Sequence, residues 1–384
     1  MRVGLITKEW PPNIYGGAGV HALQLTQALQ KSITVDVSCF GPQRVDAQGF
    51  ALPKELEQLN PALQAFATDI EIAQSLGEVD LVHSHTWYAN MAGHFASLLH
   101  GIPHVITAHS LEPDRPWKAE QLGGGYRLSS WAEKTAYEAA DAIIAVSNGM
   151  RTDILKAYPA LDPTKVHTIL NGVDTQKYSP REDQELLDRL GVHGRYAIFV
   201  GRITRQKGLG HLLRAWKNVA PDIGLMIAAG SPDEPAIGAE TAALIHELQA
   251  TRTNVWWQEK MLPQPELNVL LSSADLFICP SVYEPLGIVN LEAMACQTAV
   301  LASRVGGIPE VVAENETGEL VDYNGDGPAF EAALSYRIQE MVNDPAKLAR
   351  YGQAGRQRAI NHFGWDAIAE QTIQLYSSII AARN

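Results

Sequence analysis

Apolar runs of strand length alternate with amphipathic stretches along the whole chain, and the alternation pauses once before it restarts. That rhythm is the signature of βαβ units, in which helices cover both faces of a parallel sheet. In the first half, strands are expected at residues 3–6, 33–39, 80–83, 104–107, 142–146 and 166–169, with helices at 19–30, 88–99, 127–140 and 150–158. The pause comes at the turn Asn171-Gly172-Val173-Asp174, and the polar stretch Ser179-Pro180-Arg181-Glu182-Asp183 after it reads as a linker. Strands return at 196–200, 225–229, 255–258, 276–279, 299–302 and 319–321, with helices at 211–219, 240–251, 264–272, 287–296 and 329–342. The closing residues read as two helices broken at His362-Phe363-Gly364. At 384 residues the chain is long for one core. The expected fold is α/β, with two doubly wound domains.

Composition removes several functions. A net charge of −13 and a pI near 5.4 disfavour nucleic-acid binding and a polybasic membrane face. No apolar run approaches bilayer length, and Met1-Arg2-Val3-Gly4-Leu5-Ile6 enters a strand pattern with too short an apolar core for a signal peptide. Cys39, Cys279 and Cys296 are odd in number, scattered and set in apolar runs. They are expected to be reduced buried thiols of a cytoplasmic protein, not a disulfide framework or a metal site.

Doubly wound domains bind ligands in the crevice outside the carboxyl ends of their strands, so residues that directly follow strands are the candidates. After the strand at 276–279 comes Ser281-Val282-Tyr283-Glu284-Pro285-Leu286-Gly287-Ile288-Val289-Asn290-Leu291-Glu292. Gly287 opens a helix whose free amides and dipole favour a phosphate. Glu284 before it and Glu292 within it are placed to hold hydroxyls on either side, which suits a sugar, a diphosphate and a ribose. Eight helical residues span roughly 12 Å, whereas a glycosidase pair sits about 5–9.5 Å apart. These carboxylates are expected to bind, not to form a hydrolytic dyad.

Other stations obey the same filter. Gly16 and Gly17 precede the first helix and let backbone amides approach a ligand. Arg202 and Lys207 are expected in one strand-to-helix turn, two cations able to neutralise a diphosphate without a metal. His109 follows the strand at 104–107, placed to hydrogen-bond a sugar or the leaving phosphate. His83 and His85 alternate after a strand with no Cys or second carboxylate cluster, a poor metal site. From Ser110 to Arg127 runs a long loop rich in glycine and charge. Arg115, Lys118 and Arg127 are expected to gather there around a second anionic group, and Trp117 and Tyr126 argue against disorder. A membrane-docking loop is the competing reading, weakened by Glu112, Asp114 and Glu120.

In this order and spacing, the stations resemble the retaining GT-B glycosyltransferases of the glycogen synthase-like family over essentially the whole chain. The resemblance rests on Gly16-Gly17, Ala108-His109, Asn171-Gly172-Val173-Asp174, Gly201-Arg202 with Lys207-Gly208, Glu284 through Glu292, and Gly306-Gly307-Ile308-Pro309-Glu310. His109-Ser110-Leu111-Glu112-Pro113, Arg115-Pro116-Trp117-Lys118 and Gly123-Gly124-Gly125-Tyr126 are similar to the short-form bacterial members. The chain departs from the longer starch and glycogen synthases, which carry a lysine before Thr-Gly-Gly where this chain has Ile14-Tyr15-Gly16-Gly17.

The resemblance implies two Rossmann-like domains facing each other across a cleft. Residues 1–175 would form an acceptor-side domain and 176–362 a nucleotide-sugar domain, with a helix in 363–384 crossing back to the first. It implies ADP-glucose as donor and transfer to the 4-hydroxyl of an α-glucosyl acceptor. Glucose-1-phosphate would give maltose-1-phosphate; glycogen ends would be extended. Arg202 and Lys207 would bind the diphosphate with amides near Gly17, Gly287, Ile288 and Val289. Glu284 would read glucose, Glu292 the ribose, and His109 the sugar near its 6-hydroxyl. Arg115, Lys118, Tyr126 and Arg127 would face the acceptor. No metal or separate cofactor is expected, and donor binding is expected to close the domains. Another sugar-phosphate-forming transferase using a UDP- or GDP-sugar, a GT-B-like epimerase and a non-catalytic nucleotide-sugar binder remain open at this point.

Overall fold

The computed structural model describes residues 1–14, 16–115 and 123–383, with Ser231 described by its backbone alone. The chain forms two compact units, Met1–Gly172 with Trp365–Asn384, and Val173–Gly364.

The first unit is built on β1 (Arg2–Thr7), β2 (Thr34–Phe40), β3 (Gln48–Phe50), β4 (Leu81–His85), β5 (His104–Ala108), β6 (Ala142–Ala145) and β7 (Val166–Thr168). They make a seven-stranded sheet in the order β3-β2-β1-β4-β5-β6-β7, each neighbouring pair parallel. Near-continuous apolar strands such as Val3–Ile6 and Ala142–Ala145 follow from a sheet covered on both faces. The helix Trp365–Arg383 belongs to this unit: Trp365, Ile368, Leu375 and Tyr376 share one core with Val3, Leu5, Leu25 and Leu29. Each large apolar side chain buried there contributes about 1.5–3 kcal/mol. Arg383 completes the attachment by pairing with Asp141 at 3.2 Å and donating to the Gly101 carbonyl at 3.1 Å.

The second unit carries β8 (Tyr196–Ile203), β9 (Gly224–Pro232), β10 (Val255–Gln258), β11 (Leu276–Cys279), β12 (Ala299–Ser303) and β13 (Gly318–Val321). Its six strands run in the order β10-β9-β8-β11-β12-β13, again parallel throughout. Phe199, Leu213, Trp216, Leu225, Ile278, Leu301, Phe330 and Met341 form its core. In both sheets the strand order reverses once, between β1 and β4 and between β8 and β11. Those switch points are where doubly wound sheets open a crevice for ligands.

Several elements were not anticipated, three of them instructive. The helix Pro61–Ser75 had its start signal in plain view, since Asn60 accepts from the Ala62 amide at 3.0 Å and Pro61 follows it. Its inner stripe is mostly alanine and threonine and includes a buried Asp69, which dilutes the apolar period. β3 is three residues long, below the length that a pattern can reveal. The stretch read as linker holds the short helix Gln184–Arg189, capped by the Asp183 carboxylate. All three cysteines are free and buried, and no helix among the described residues is long and apolar enough to cross a membrane.

Candidate functional site

In the second unit, two turns that follow β8 and β11 are fastened to each other. The backbone of Val282 donates to the Gln206 carbonyl at 2.9 Å. Gly208 has φ of 65°, and a Cβ on it would lie 1.9 Å from the Pro280 carbonyl oxygen. Only glycine permits both the left-handed backbone and that approach. The consequence is that Lys207, from the first turn, meets Glu284, from the second, at 2.6 Å. Glu284 also accepts from Ser281 Oγ at 3.2 Å. Behind it, the Gly307 amide donates to the Glu284 carbonyl at 3.0 Å, and a Cβ on Gly306 would strike that carbonyl at 1.9 Å. The Gly306-Gly307 motif is thus the backbone rest on which Glu284 sits.

The pair is largely buried, with 16% of the Lys207 and 8% of the Glu284 side chain exposed. Burial by itself pulls the Lys207 pKa down, but the Glu284 charge and hydrogen bond and the nearby Cys279 outweigh it, so the ammonium is held above its ordinary pKa. Lys207 therefore stays charged. It has three N–H donors, and Glu284 takes one.

Arg202 corrects the expectation of a shared turn. β8 runs on to Ile203, so Arg202 lies within the strand and Lys207 in a one-turn helix after it, Arg205–Lys207. The extension comes from a bulge at Arg202/Ile203 that lets β8 keep pairing with β9. Neither cation stands alone: Arg202 pairs with Asp233 at 2.7 Å, as Lys207 does with Glu284.

The helix Ile288–Ala295 starts at Gly287, φ 92°, with no side-chain cap. Five other helices are capped by Asn60, Ser147, Asp183, Asp326 and Asp344, while several more, such as Gly17–Leu29, start without a side-chain cap as this one does. An uncapped first turn leaves amides free for an anion, and Ile288 and Val289 form it. Glu292 lies on this helix, 8% exposed. Burial pushes its carboxyl up to about 7, against the pull of a Tyr178 hydrogen bond and the Lys207 charge.

The first unit presents different chemistry. The helix Gly17–Leu29 begins at Gly16 without a side-chain cap of its own, and the Glu9 carboxylate accepts the Gly16 amide at 2.9 Å. Glu9 packs so tightly here that a Cβ on Gly19 would come within 2.7 Å of it. His109, directly after β5, accepts or donates to His85 through Nε2···Nδ1 at 3.0 Å. His21 packs edge-on against His109, ring centroids 4.7 Å apart. His83 is fixed by Tyr376 at 2.6 Å and Thr107 at 2.7 Å. Burial drives His83, His85 and His109 well below the ordinary histidine pKa and His21 down to about 4. All four are neutral imidazoles at pH 7. Next to His85, Thr86 holds φ 65° and ψ 158°, a conformation nearly confined to glycine.

Of the acceptor candidates, Arg115 and Tyr126 converge on Glu112. Arg115 is turned onto the buried Glu112 at 3.8 Å and donates to Ser110 Oγ at 3.0 Å. Tyr126 Oη donates to the Glu112 carbonyl at 2.8 Å, while Arg127 is exposed on the first turn of the helix Gly125–Ala139. Lys118 lies outside the described residues. Glu112 anchors this start of the loop through Ser129 Oγ at 2.6 Å and through its amide to Glu133 at 2.9 Å. A buried acid within the loop thus consumes the charge of Arg115, which a reading of charge along the sequence misses.

Two parallel sheets of this order, each with an uncapped glycine-started helix at its switch point, are Rossmann-like units. Residues 15–177 match the family described as Glycosyltransferase Family 4, and residues 189–358 match Glycosyl transferases group 1. The α-maltose-1-phosphate synthase of Mycolicibacterium smegmatis is 52% identical, with 99% of this chain and 100% of the relative covered. That of Mycobacterium tuberculosis H37Rv is 49% identical at the same coverage. Among solved structures, sucrose-phosphate synthase from Thermosynechococcus elongatus superposes with a TM-score of 0.79 at 26% identity, covering 99% of each chain. Anabaena HepE in complex with UDP and glucose has a TM-score of 0.80 over 98% of this chain and 99% of its own, at 21% identity, a likeness of fold. The chain belongs to the glycogen synthase-like family of GT-B glycosyltransferases.

Proposed function

We propose that this glycosyltransferase moves glucose from ADP-glucose to the 4-hydroxyl of glucose-1-phosphate, giving α-maltose-1-phosphate with retention of configuration. The observation that carries the reading is the 52% identity, over essentially the full length of both chains, to a protein named α-maltose-1-phosphate synthase.

In this reading residues 176–362 hold the donor, and residues 1–175 with 363–384 serve the acceptor side. Lys207 keeps Glu284 as one partner and directs its other N–H groups to the diphosphate; Arg202 exchanges Asp233 for a phosphate oxygen. Amides at Gly287, Ile288 and Val289 receive the same anion, and Gly16 and Gly17 are counted among the donor-binding positions. Glu284 orients the glucose hydroxyls and Glu292 accepts from the ribose. His109 contacts the sugar near its 6-hydroxyl. Arg127 and Lys118 meet the acceptor phosphate, while Arg115 and Tyr126 shape that side of the site through Glu112.

The chemistry follows from charge. As the glucosyl–oxygen bond breaks, positive charge develops on the sugar and negative charge on the departing diphosphate. Fixed cations and amides aimed at that oxygen lower the barrier, each donor by roughly a hundred- to a thousandfold in rate. The acceptor's 4-hydroxyl attacks from the face the diphosphate leaves, and a leaving-group oxygen takes its proton. No step is routed through a metal. The enzyme works in the cytoplasm, and recovery in a membrane fraction would overturn that placement.

The test is to incubate the purified chain with ADP-glucose and either glucose-1-phosphate or glycogen, following products by phosphorus NMR and polymer labelling. Maltose-1-phosphate is expected. Labelled glycogen without any disaccharide phosphate overturns the acceptor; turnover with UDP-glucose alone overturns the donor.

A further inference from the structure

We propose that His21, His85 and His109 form a binding site for a single divalent transition-metal ion of the zinc class, and that the bound ion inhibits glucosyl transfer by occupying His109. Each of the three offers a ring nitrogen, and these atoms all lie within 4.8 Å of one another. The three come from different places: His21 from the helix Gly17–Leu29, His85 from the end of β4, His109 from the turn after β5. Strand pairing fixes two of them, since His85 is the register partner of Thr107, two residues before His109.

The trio is poorly explained as core packing. Nε2 of His85 is buried and reaches no hydrogen-bond partner among the described residues, and His21, which faces Asn171, makes no hydrogen bond of good geometry through either ring nitrogen. A buried polar group left so is destabilising, and an ion that takes the lone pair of one His21 nitrogen removes that part of the penalty. His83, by contrast, has both nitrogens engaged, by Tyr376 and Thr107, and stands outside the set.

The donors select the ion. Three imidazoles suit zinc, copper, nickel and cobalt, whereas magnesium and calcium require oxygen ligands. A tetrahedral ion with bonds of about 2.0–2.1 Å holds its nitrogens about 3.3 Å apart. His85 and His109 already stand at 3.0 Å, so a small opening of that pair and an approach of His21 complete three corners. The fourth corner falls to water or an anion.

The inhibition rests on the reading of His109 as a sugar contact; the ion binding does not. The experiment uses the untagged full-length chain, stripped with chelator. Zn²⁺ is measured by equilibrium dialysis, Co²⁺ by its visible absorption, and ADP-glucose turnover is followed with each ion and with Mg²⁺. One equivalent of Zn²⁺ and a four-coordinate nitrogen-ligated cobalt spectrum are expected in the wild type. Both should be lost in His21→Ala, whose cooperative melting is checked by circular dichroism. If that variant fails to fold, His109→Gln takes its place. Zn²⁺ should inhibit turnover while Mg²⁺ does not, and His21→Ala should shift the inhibition at least about tenfold in concentration. Absent stoichiometric Zn²⁺, or binding unchanged in both variants, overturns the site. Zn²⁺ bound at the trio with turnover untouched overturns the inhibition and the sugar contact together. A chain that binds Zn²⁺ through the trio yet makes no maltose-1-phosphate fails the proposed function alone.

Discussion

The two units share one strand plan and carry opposite electrostatics at their switch points. In the second unit the switch point is ionic: Lys207 meets Glu284, and Arg202 meets Asp233. In the first it is a cluster of neutral imidazoles, His21, His83, His85 and His109, with the Glu9 carboxylate against the neighbouring helix start. The difference matches the work proposed for each half. A diphosphate that gains charge as it leaves calls for fixed cations, whereas a sugar that is becoming positive is best met by groups that add no positive charge. Neutral histidines hydrogen-bond hydroxyls without repelling an oxocarbenium-like carbon.

The sharpest way to break this comparison is to remove the cation. Lys207→Ala is expected to lower kcat at least about a hundredfold, measured by steady-state ADP-glucose turnover, with Arg202→Ala smaller but at least about tenfold. Turnover near wild type in both would remove the diphosphate assignment. In the first unit, His109→Ala should lower kcat about tenfold to a hundredfold, whereas His109→Gln, which keeps a neutral donor, should recover part of the loss. Equal loss in both variants would mean that the ring, not its hydrogen bond, is what matters.

A third test concerns Glu292, whose carboxyl burial raises to about 7. An acid with a raised folded-state pKa binds its proton more tightly folded than unfolded. It therefore contributes stability at low pH that is lost as pH climbs from the usual carboxylate range through about 7. Glu292→Gln should melt higher than wild type above about pH 7, by up to about 3 kcal/mol, and close to it near pH 4. On the proposal that Glu292 holds the ribose, the hydroxyl donates to the ionised form, so calorimetry should show ADP affinity rising with pH through about 7 in the wild type and flat in Glu292→Gln. A flat wild-type profile removes Glu292 from the nucleotide site. The smallest effect is local: Thr86→Gly should relieve the strained backbone beside His85 and raise stability by about 1 kcal/mol in denaturant unfolding. Destabilisation would show that the Thr86 side chain is needed.

Much of the fold was legible because parallel strands buried on both faces write themselves as apolar runs. The strands at Val255–Gln258 and Leu276–Cys279 were bounded to the residue. The helix Pro61–Ser75 was lost because its stripe is small and polar. Glu284, Lys207 and Gly287 could be singled out as residues that follow strands, but their partners could not. Asp233 lies 31 residues from Arg202, and Glu284 lies 77 from Lys207. His21 sits mid-helix, a place that a filter on strand ends discards. Its role appears only once the helix is packed beside β4 and β5.

What the amino-acid order determined by itself is the repeating βα rhythm, the glycines that free helix starts, and the residue types stationed after each strand. These are local consequences of period, backbone freedom and composition. Which charges are already spent was decided by tertiary structure. The sheet order brings β8 beside β11 and sets Lys207 on Glu284, and it brings β4 beside β5 and sets His85 on His109. Contacts across such separations exist only after strands far apart in sequence pair, and electrostatics depends on what lies within a few ångströms in space.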